Sequence, residues 1–173
     1  MISIRLFDHD KDWELLWRQM LEPVFRAGDT YTVPTDVTEE QAYKMWIETP
    51  QATFVATNDG GALLGTYYIK PNQPGFGNHV CNCGYVTAES ARGQGVASRL
   101  CEHSLQEAPK RGFRAMQYNF VVSTNTGAIR LWKKFGFEEV GRLPKAFRYN
   151  GDYLDALVMF QQLVDDDEKK QDS

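Results

Sequence analysis

The chain has few of the residues that build metal sites or disulfide frameworks: it contains three cysteines and three histidines among 173 residues. Cys81, Cys83 and Cys101 are an odd number without paired spacing, which favours reduced cytosolic thiols. The three histidines are scattered along the chain. We therefore predict no metal site and a cytoplasmic protein.

Basic charge and long apolar runs are lacking too. Lysine and arginine number 19 against 23 acidic residues, for a net charge of −4, so no basic surface is expected to bind nucleic acid. No apolar run approaches the length of a membrane span, and residues 1–6 lack the layout of a secretory signal. We expect neither nucleic acid nor a membrane as partner.

What the chain does contain suits one compact domain. Its residues are 42% hydrophobic and 13% aromatic, enough at this length to form a full core. We place the domain at residues 1–164. Residues 165–173 form a charged tail with little apolar surface to bury, which predicts disorder.

Hydrophobic periodicity and turn residues predict an order of strands and helices. Strands are indicated at 2–7, 52–57, 62–70, 80–86, 115–122, 138–143 and 153–164. Helices are indicated at 13–21, 38–48, 96–108 and 125–136. Asp8 or Asp10 is placed to cap the first helix, which Pro23 bends or ends. Residues 38–41 have the pattern of a capping box.

The most informative stretch is residues 92–97, Arg-Gly-Gln-Gly-Val-Ala, between a predicted strand and a predicted helix. Gly93 and Gly95 let the backbone approach a ligand closely, because no Cβ stands in the way. The N–H groups at the start of the following helix favour an anion. The stretch predicts a phosphate or pyrophosphate site, although such glycines also occur in plain connecting turns. The G-x-G-x-x-G spacing of dinucleotide-binding folds is absent.

A second motif, Asn-x-x-Ala-x-x-Leu-Trp-Lys-Lys-x-Gly-Phe, begins at Asn125. Arg92, Gly95 and Ala97 fit the pattern Arg/Gln-x-x-Gly-x-Gly/Ala, and the two motifs together resemble those of the GCN5-related N-acetyltransferases. The order of predicted elements is similar to that family from end to end. The resemblance implies an α/β (α+β) fold with a mixed, mostly antiparallel sheet of six to seven strands. It also implies about four flanking helices and central strands that splay apart.

The resemblance further implies acetyl-CoA as co-substrate and direct attack of an amine on the thioester in a ternary complex. The glycine loop would hold the pyrophosphate, and the splayed strand would take the pantetheine arm. Backbone N–H groups near residues 85–87 would polarise the carbonyl. The residues implied in acetyl-CoA binding are Tyr85, Val86, Thr87, Arg92, Gly93, Gln94, Gly95, Val96, Ala97, Ser98, Asn125, Trp132 and Lys134.

The chain departs from the family pattern at two catalytic positions. Trp132 stands where the family often has a tyrosine that protonates the departing thiolate. An indole N–H is not a usable acid, so packing is its expected role. The glutamate that the family carries on the strand before the glycine loop is absent from 80–86. The thiolate would therefore leave unprotonated or take a proton from Tyr149 or Tyr153.

Asn82 and Asn119 lie on the two strands that are expected to splay. A mid-strand asparagine packs poorly, so the pair is predicted as the catalytic positioning groups for the acceptor, or as satisfied structural groups. Water held by either side chain, or a carboxylate of the 28–40 loop, would take the proton of the amine. Three segments are similar to the azetidine-2-carboxylate N-acetyltransferases: 64–72, 79–84 and 119–125. The expected acceptor is a small amine, with an amino acid or proline analogue favoured.

Other functions remain open. The acceptor would be a peptide or protein N-terminus if the groove were open and acidic. The missing acid and base would suit a non-catalytic acetyl-CoA sensor. A covalent mechanism through Cys101 is disfavoured, because His103 lies on a different face of the same predicted helix. The assembly state is open, with a homodimer as one candidate.

Overall fold

Seven strands form one sheet in the computed structural model, which describes residues 1–165. The predicted tail at 165–173 therefore lies, apart from Asp165, outside the described residues. The strands are β1 Ser3–Leu6, β2 Ala52–Thr57, β3 Leu63–Pro71, β4 Val80–Thr87, β5 Ala115–Val122, β6 Glu138–Tyr149 and β7 Asp152–Gln162. Their order in the sheet is β1-β2-β3-β4-β5-β7-β6. Neighbouring strands run antiparallel, except that β4 and β5 are parallel.

Four continuous segments of α- and π-helix accompany the sheet in the described part of the chain, together with short 3-10 turns at Gly75–Gly77 and Glu89–Ala91. The first comprises α1 His9–Leu16, a π-helical turn Trp17–Leu21 and α2 Glu22–Ala27. The second comprises α3 Glu39–Tyr43 and a π-helical turn Lys44–Glu48. The others are α4 Val96–Lys110 and α5 Thr126–Lys134. The predicted mixed, mostly antiparallel fold is confirmed.

Local signals placed two of the helix starts correctly. The Asp8 side chain accepts a hydrogen bond from the Asp10 N–H at 3.2 Å. Thr38 Oγ1 accepts from the Gln41 N–H at 3.2 Å, and Gln41 Oε1 accepts from the Thr38 N–H at 3.0 Å, which completes the capping box. Pro23 was predicted to bend or end the first helix, and the second alternative is wrong, because the helical segment continues to Ala27. The preceding π-helical turn shifts the hydrogen-bond register, so Pro23 occupies the first turn of α2, where no N–H donor is needed.

The last hairpin is longer than the predicted strands at 138–143 and 153–164. Its turn is Asn150-Gly151, with φ of 51° and 84°, the sequence signal of a type I′ turn. A bulge lies between Leu143 and Phe147 in β6. Such a bulge accommodates a proline within a strand, so β6 continues past Pro144.

A half-buried ion pair joins β1 to the first helix. Asp12 is 2% exposed, and Arg5 donates to both of its carboxylate oxygens, at 2.7 and 2.8 Å. The Asp8 N–H donates to the same carboxylate at 2.8 Å. Burial by itself would raise the pKa of Asp12, but the hydrogen bonds from Arg5 and Asp8 outweigh it, and the pKa lies below its ordinary value.

The core between the sheet and α4 depends on one glycine. A Cβ at Gly65 in β3 would lie 2.9 Å from Val96 Cγ1 and 3.0 Å from Leu100 Cδ1. Only a residue without a side chain lets α4 approach β3 this closely. All three cysteines are buried thiols, as expected for small apolar residues.

The parallel pair at the centre of the sheet separates after two residue pairs. Val80 pairs with Ala115 and Cys81 with Met116, although β4 continues to Thr87. At the next position, Asn82 Nδ2 donates to the backbone oxygen of Gln117 at 3.0 Å. The predicted splay of the central strands is confirmed, and a side-chain amide bridges the point where the strands part.

Candidate functional site

A cleft of about 700 Å³ opens where β4 and β5 separate. Its walls come from α2 and the loop after it, from β3, β4 and β5, from the start of α4 and from α5. Both asparagines predicted to position the acceptor line the cleft. Of the thirteen residues predicted to bind acetyl-CoA, the seven that line it are Tyr85, Val86, Thr87, Arg92, Ala97, Asn125 and Trp132. The six that do not are Gly93, Gln94, Gly95, Val96, Ser98 and Lys134.

The glycine loop presents open backbone at one end of the cleft. Gly93 and Gly95 have φ of 76° and 79°, and a Cβ at either would meet no atom within 4 Å among the described residues. Gly95 is the N-cap of α4. In the described part of the chain, no side chain caps this helix start, and its first turn contains no acidic residue. The N–H groups there are thus available to an anion, which fits a pyrophosphate.

The side chains of this loop have separate roles. Arg92 is exposed, lines the cleft and has no ion pair with any residue that the structure describes. Val96 is 1% exposed and packs in the core, so only its backbone can face a ligand. Gln94 Nε2 donates to the Ser90 oxygen at 2.9 Å and steadies the turn.

The backbone of β4 faces the cleft at every second residue. The hydrogen bonds at the two ends of the β3–β4 ladder run from Asn72 N to Val80 O, 2.8 Å, and from Ala88 N to Leu64 O, 2.9 Å. In an antiparallel ladder, residues whose backbone N–H and C=O groups bond the neighbouring strand alternate with residues whose backbone groups point away from that strand. Cys83, Tyr85 and Thr87 therefore direct their N–H and C=O groups away from β3, towards the space that β5 leaves open. The Tyr85 oxygen accepts a hydrogen bond from the Tyr31 hydroxyl at 2.8 Å.

Trp132 lines the cleft and packs against two tyrosine rings. Its side chain is 8% exposed, and its ring lies 4.9 Å from that of Tyr85 and 4.8 Å from that of Tyr118. The two phenol oxygens are 2.8 Å apart, and Tyr85 also bonds Ser104 Oγ at 2.7 Å. Burial raises the pKa of both phenols well above its usual value, so both are protonated at neutral pH.

The remaining predicted groups differ in placement. Asn125 caps α5, since its side chain accepts from the Ala128 N–H at 3.4 Å. Tyr149 and Tyr153 lie in the β6–β7 hairpin and do not line the cleft, and Tyr153 is 60% exposed. Burial raises the pKa of Cys101 to about 12, so a thiolate nucleophile there is disfavoured.

The two asparagines already make hydrogen bonds. Asn82 Nδ2 bonds Gln117 O, as described above, and its Oδ1 lies 3.4 Å from the Tyr68 hydroxyl. Asn119 Nδ2 donates to Asn72 Oδ1 at 2.6 Å, and its Oδ1 accepts from Gln117 Nε2 at 2.9 Å. Asn119 lies in a bulge between Tyr118 and Val121, which turns successive residues of β5 towards the cleft. Each amide keeps one N–H for a further acceptor.

Three residues at this polar end were not named from the sequence: Tyr68, Lys70 and Asp29. Lys70 Nζ lies 5.2 Å from the centre of the Tyr68 ring. Asp29 belongs to the 28–40 loop that was expected to supply a carboxylate. Its loop is held over the cleft by Tyr31, whose ring packs against Phe25. The spacing of these residues along the chain carries no signal of their proximity.

Tyr68 owes its position to a glycine on the neighbouring strand. Gly84 pairs with Tyr68 across the β3–β4 ladder, and a Cβ there would lie 2.5 Å from Tyr68 Cε1. The ring therefore lies directly on the β4 backbone. The ring also packs nearly perpendicular to Trp46, with ring centres 4.8 Å apart.

The structure adds two general findings. Within residues 1–165, no group of three or more histidine, cysteine or acidic side chains is arranged to hold a metal ion. None of the helices in those residues is long and apolar enough to cross a membrane.

Comparison with known proteins identifies the family. The model of the Acetyltransferase (GNAT) family matches residues 13–137. The chain is 33% identical over 148 residues to N-acetyltransferase aca1 of Schizosaccharomyces pombe. The aligned region covers 76% of this chain and 71% of that protein. It is 28% identical over 132 residues to the L-methionine sulfoximine/L-methionine sulfone acetyltransferase of Pseudomonas aeruginosa, and the aligned region covers 73% of this chain and 74% of that protein. The chain belongs to the GNAT family and is an N-acetyltransferase.

Solved structures agree with this assignment. A GCN5-related N-acetyltransferase from Kribbella flavida has a TM-score of 0.85 and 38% identity, over 94% of this chain and 98% of that one. A phosphinothricin acetyltransferase from Sinorhizobium meliloti in complex with acetyl-CoA has the same fold, with a TM-score of 0.82 and 19% identity. The match covers 94% of this chain and 88% of that one. Structures of this fold thus bind acetyl-CoA. The narrower likeness to azetidine-2-carboxylate acetyltransferases stays a prediction.

Proposed function

We propose that this chain transfers the acetyl group of acetyl-CoA to the amine of a small acceptor, an amino acid or a proline analogue, within a ternary complex. The observation that carries the proposal is a single cleft with two different ends. One end, at Arg92 and Ala97, adjoins the open glycine backbone and the uncapped start of α4, and the other has polar side chains from β3, β4 and β5. Related acetyltransferases act on acceptors of this class, including L-methionine sulfone.

Acetyl-CoA supplies an acetyl group activated as a thioester. We expect residues 92–97 to hold its pyrophosphate, with the Arg92 guanidinium adding charge. The N–H of Tyr85, on the cleft side of β4, is placed to polarise the thioester carbonyl. Trp132 forms the apolar wall beside it, and the thiolate leaves without a proton from that side chain.

Asp29 is the proposed acceptor of the amine proton, directly or through water. It lines the cleft and forms no ion pair with the residues that the structure describes. It thereby supplies the carboxylate that is missing from 80–86. This favours an enzyme over a sensor, because attack requires a neutral amine.

Asn82 and Asn119 are proposed to position the acceptor with their free N–H groups. Replacing either by alanine should lower kcat/KM for the acceptor by roughly five- to hundredfold, about 1–3 kcal/mol, with acetyl-CoA affinity little changed. The assay is thiol release from acetyl-CoA with amino acids, proline analogues and peptides as acceptors. Gln106→Ala is the matched control, because this exposed amide on α4 does not line the cleft.

Two results would contradict these assignments. If both asparagine variants melt at lower temperature while acceptor kinetics stay normal, the asparagines are only structural hydrogen-bonding groups. If the parent releases no thiol with any amine, although it binds acetyl-CoA, the chain is a sensor rather than an enzyme.

A further inference from the structure

We propose that Lys70 binds a carboxylate of the acceptor, so that the site selects α-amino acids over plain amines and over peptide N-termini. The inference rests on the proposed function, since it concerns the acceptor end of the same cleft. Lys70 lies within the segment 64–72, but the sequence motifs assign it no role, and it enters through its position in β3.

The first observation is the charge balance of the cleft. Its charged lining residues are Asp29, Lys70 and Arg92. Arg92 belongs to the glycine loop at the acetyl-CoA end, which leaves one negative and one positive side chain for the acceptor. An α-amino acid carries an amine and a carboxylate and so complements both. A plain amine, or the N-terminus of a peptide, would leave the lysine without a counterion beside the reacting amine.

The second observation is the state of the Lys70 ammonium. It is half-buried and contacts the face of Tyr68, yet no carboxylate within residues 1–165 pairs with it. A cation–π contact satisfies the charge only in part, and an ammonium keeps three N–H donors to use. A partly desolvated cation in a cleft is well placed to bind an anion, because the surroundings screen the attraction less than water does.

The third observation is the convergence of donors around the same point. Lys70 pairs directly with Asn82 across the β3–β4 ladder, so the two side chains extend from the same face of the sheet. Asn72, two residues on from Lys70, is bonded to Asn119 from β5. The side chain of Asn82 therefore lies on the same face of the sheet as Lys70, and the amide of Asn119 lies beside Asn72. A carboxylate has two oxygens with about four lone-pair positions and can accept from all three side chains.

The test compares carboxylic acids with their carboxamides. The probes are L-methionine sulfone and L-azetidine-2-carboxylate, each with its amide, and the variants are Lys70→Met and Lys70→Arg. Lys44→Met is the control, because Lys44 is an exposed lysine outside the cleft. The parent should bind or use the acid at least tenfold better than the amide. In Lys70→Met, affinity and kcat/KM should fall about 10- to 100-fold for the acid and less than about threefold for the amide. Lys70→Arg should restore most of the preference for the acid.

Binding is measured as well as turnover. Calorimetric titration of each probe into protein saturated with CoA gives affinities without any acetyl transfer. The proposal is overturned if the parent does not prefer the acids, or if Lys70→Met, folded by circular dichroism, keeps the preference. Should Lys70→Met not fold, Lys70→Gln replaces it in the same titrations.

Failure of the proposed function has a different signature. In that case no probe releases thiol with the parent, while the calorimetric comparison of acid and amide still decides whether Lys70 binds a carboxylate. If the parent acetylates only amines without a carboxylate, acetyl transfer stands and the role of Lys70 is refuted.

Discussion

Substituting Gly84 by alanine tests whether the ring of Tyr68 must lie on the β4 backbone. The new Cβ would stand 2.5, 2.8 and 2.9 Å from Tyr68 Cε1, Cζ and the hydroxyl oxygen. These separations are shorter than carbon atoms tolerate, so the ring has to move. The ring also packs nearly perpendicular to Trp46, 4.8 Å away between ring centres, which limits where it can go. Overpacking of this kind costs about 1–3 kcal/mol.

For a domain of this size, each kcal/mol lowers Tm by about 2–4 °C, so we expect a fall of about 2–12 °C. The displaced ring also takes its hydroxyl away from Asn82 and its face away from Lys70. Acceptor KM should therefore rise, while acetyl-CoA affinity should stay near that of the parent, because the glycine loop is untouched. Thermal melting, calorimetry with acetyl-CoA and acceptor kinetics measure the three effects separately.

Gly141→Ala is the matched control. It also lies in a strand, but its nearest atoms, on Val158, are 3.8 and 3.9 Å from the added carbon, an ordinary contact. A double-mutant cycle with Tyr68→Ala isolates the clash, since Gly84→Ala should cost little once the ring is gone. If Gly84→Ala alone melts like the parent and leaves acceptor KM unchanged, the close packing of Tyr68 on β4 does not organise the site.

Three further substitutions address the acetyl-CoA end and the fold. Gly95→Glu should abolish acetyl-CoA binding in calorimetry, because it strains a φ of 79° and brings a negative charge to the anion site; parent-like affinity would place the site elsewhere. Trp132→Phe should keep most of the turnover, and a loss on the order of a hundredfold in a folded variant would refute a packing role. Asp12→Asn should lower stability by about 1–3 kcal/mol at pH 7, because Arg5 loses a charged partner but is partly exposed to water. Because the pKa of Asp12 is lower in the folded than in the unfolded state, its carboxylate stabilises the fold above the unfolded pKa of about 4, and this stabilisation is lost as pH falls through the folded pKa. A Tm difference between the parent and Asp12→Asn that is the same at pH 3 as at pH 7 would contradict this.

Much of the fold followed from short stretches of sequence. The capping box at Thr38, the end of α5 before Gly136 and the hairpin after Ala52–Thr57 each depend on residues that are close in the chain. The last hairpin was underestimated, because Pro144 interrupts the alternation before the Asn150-Gly151 turn. The signal for that turn is nonetheless present in the sequence.

The conformation of the glycine loop beside the cleft was predictable for the same reason. The glycine loop and the start of α4 are contiguous, and the conformations of Gly93 and Gly95 are the ones that their lack of a side chain allows. Sequence alone thus indicated the family and the fold class, and it predicted an anion site at the glycine loop. The departure at Trp132 was also visible, because the motif fixes which residue stands there.

The acceptor end was decided only by tertiary structure. Asp29, Lys70 and Asn119 are far apart in the chain and meet through the position of a loop, the β3–β4 register and a bulge in β5. The hydrogen bond from Asn82 to Gln117 likewise exists because the parallel strands part just beyond Cys81. Register and strand separation arise from the packing of the whole sheet, and a shift of one residue would turn Lys70 to the opposite face. No local pattern encodes that outcome, so the residues that would select the acceptor emerge only when the chain is folded.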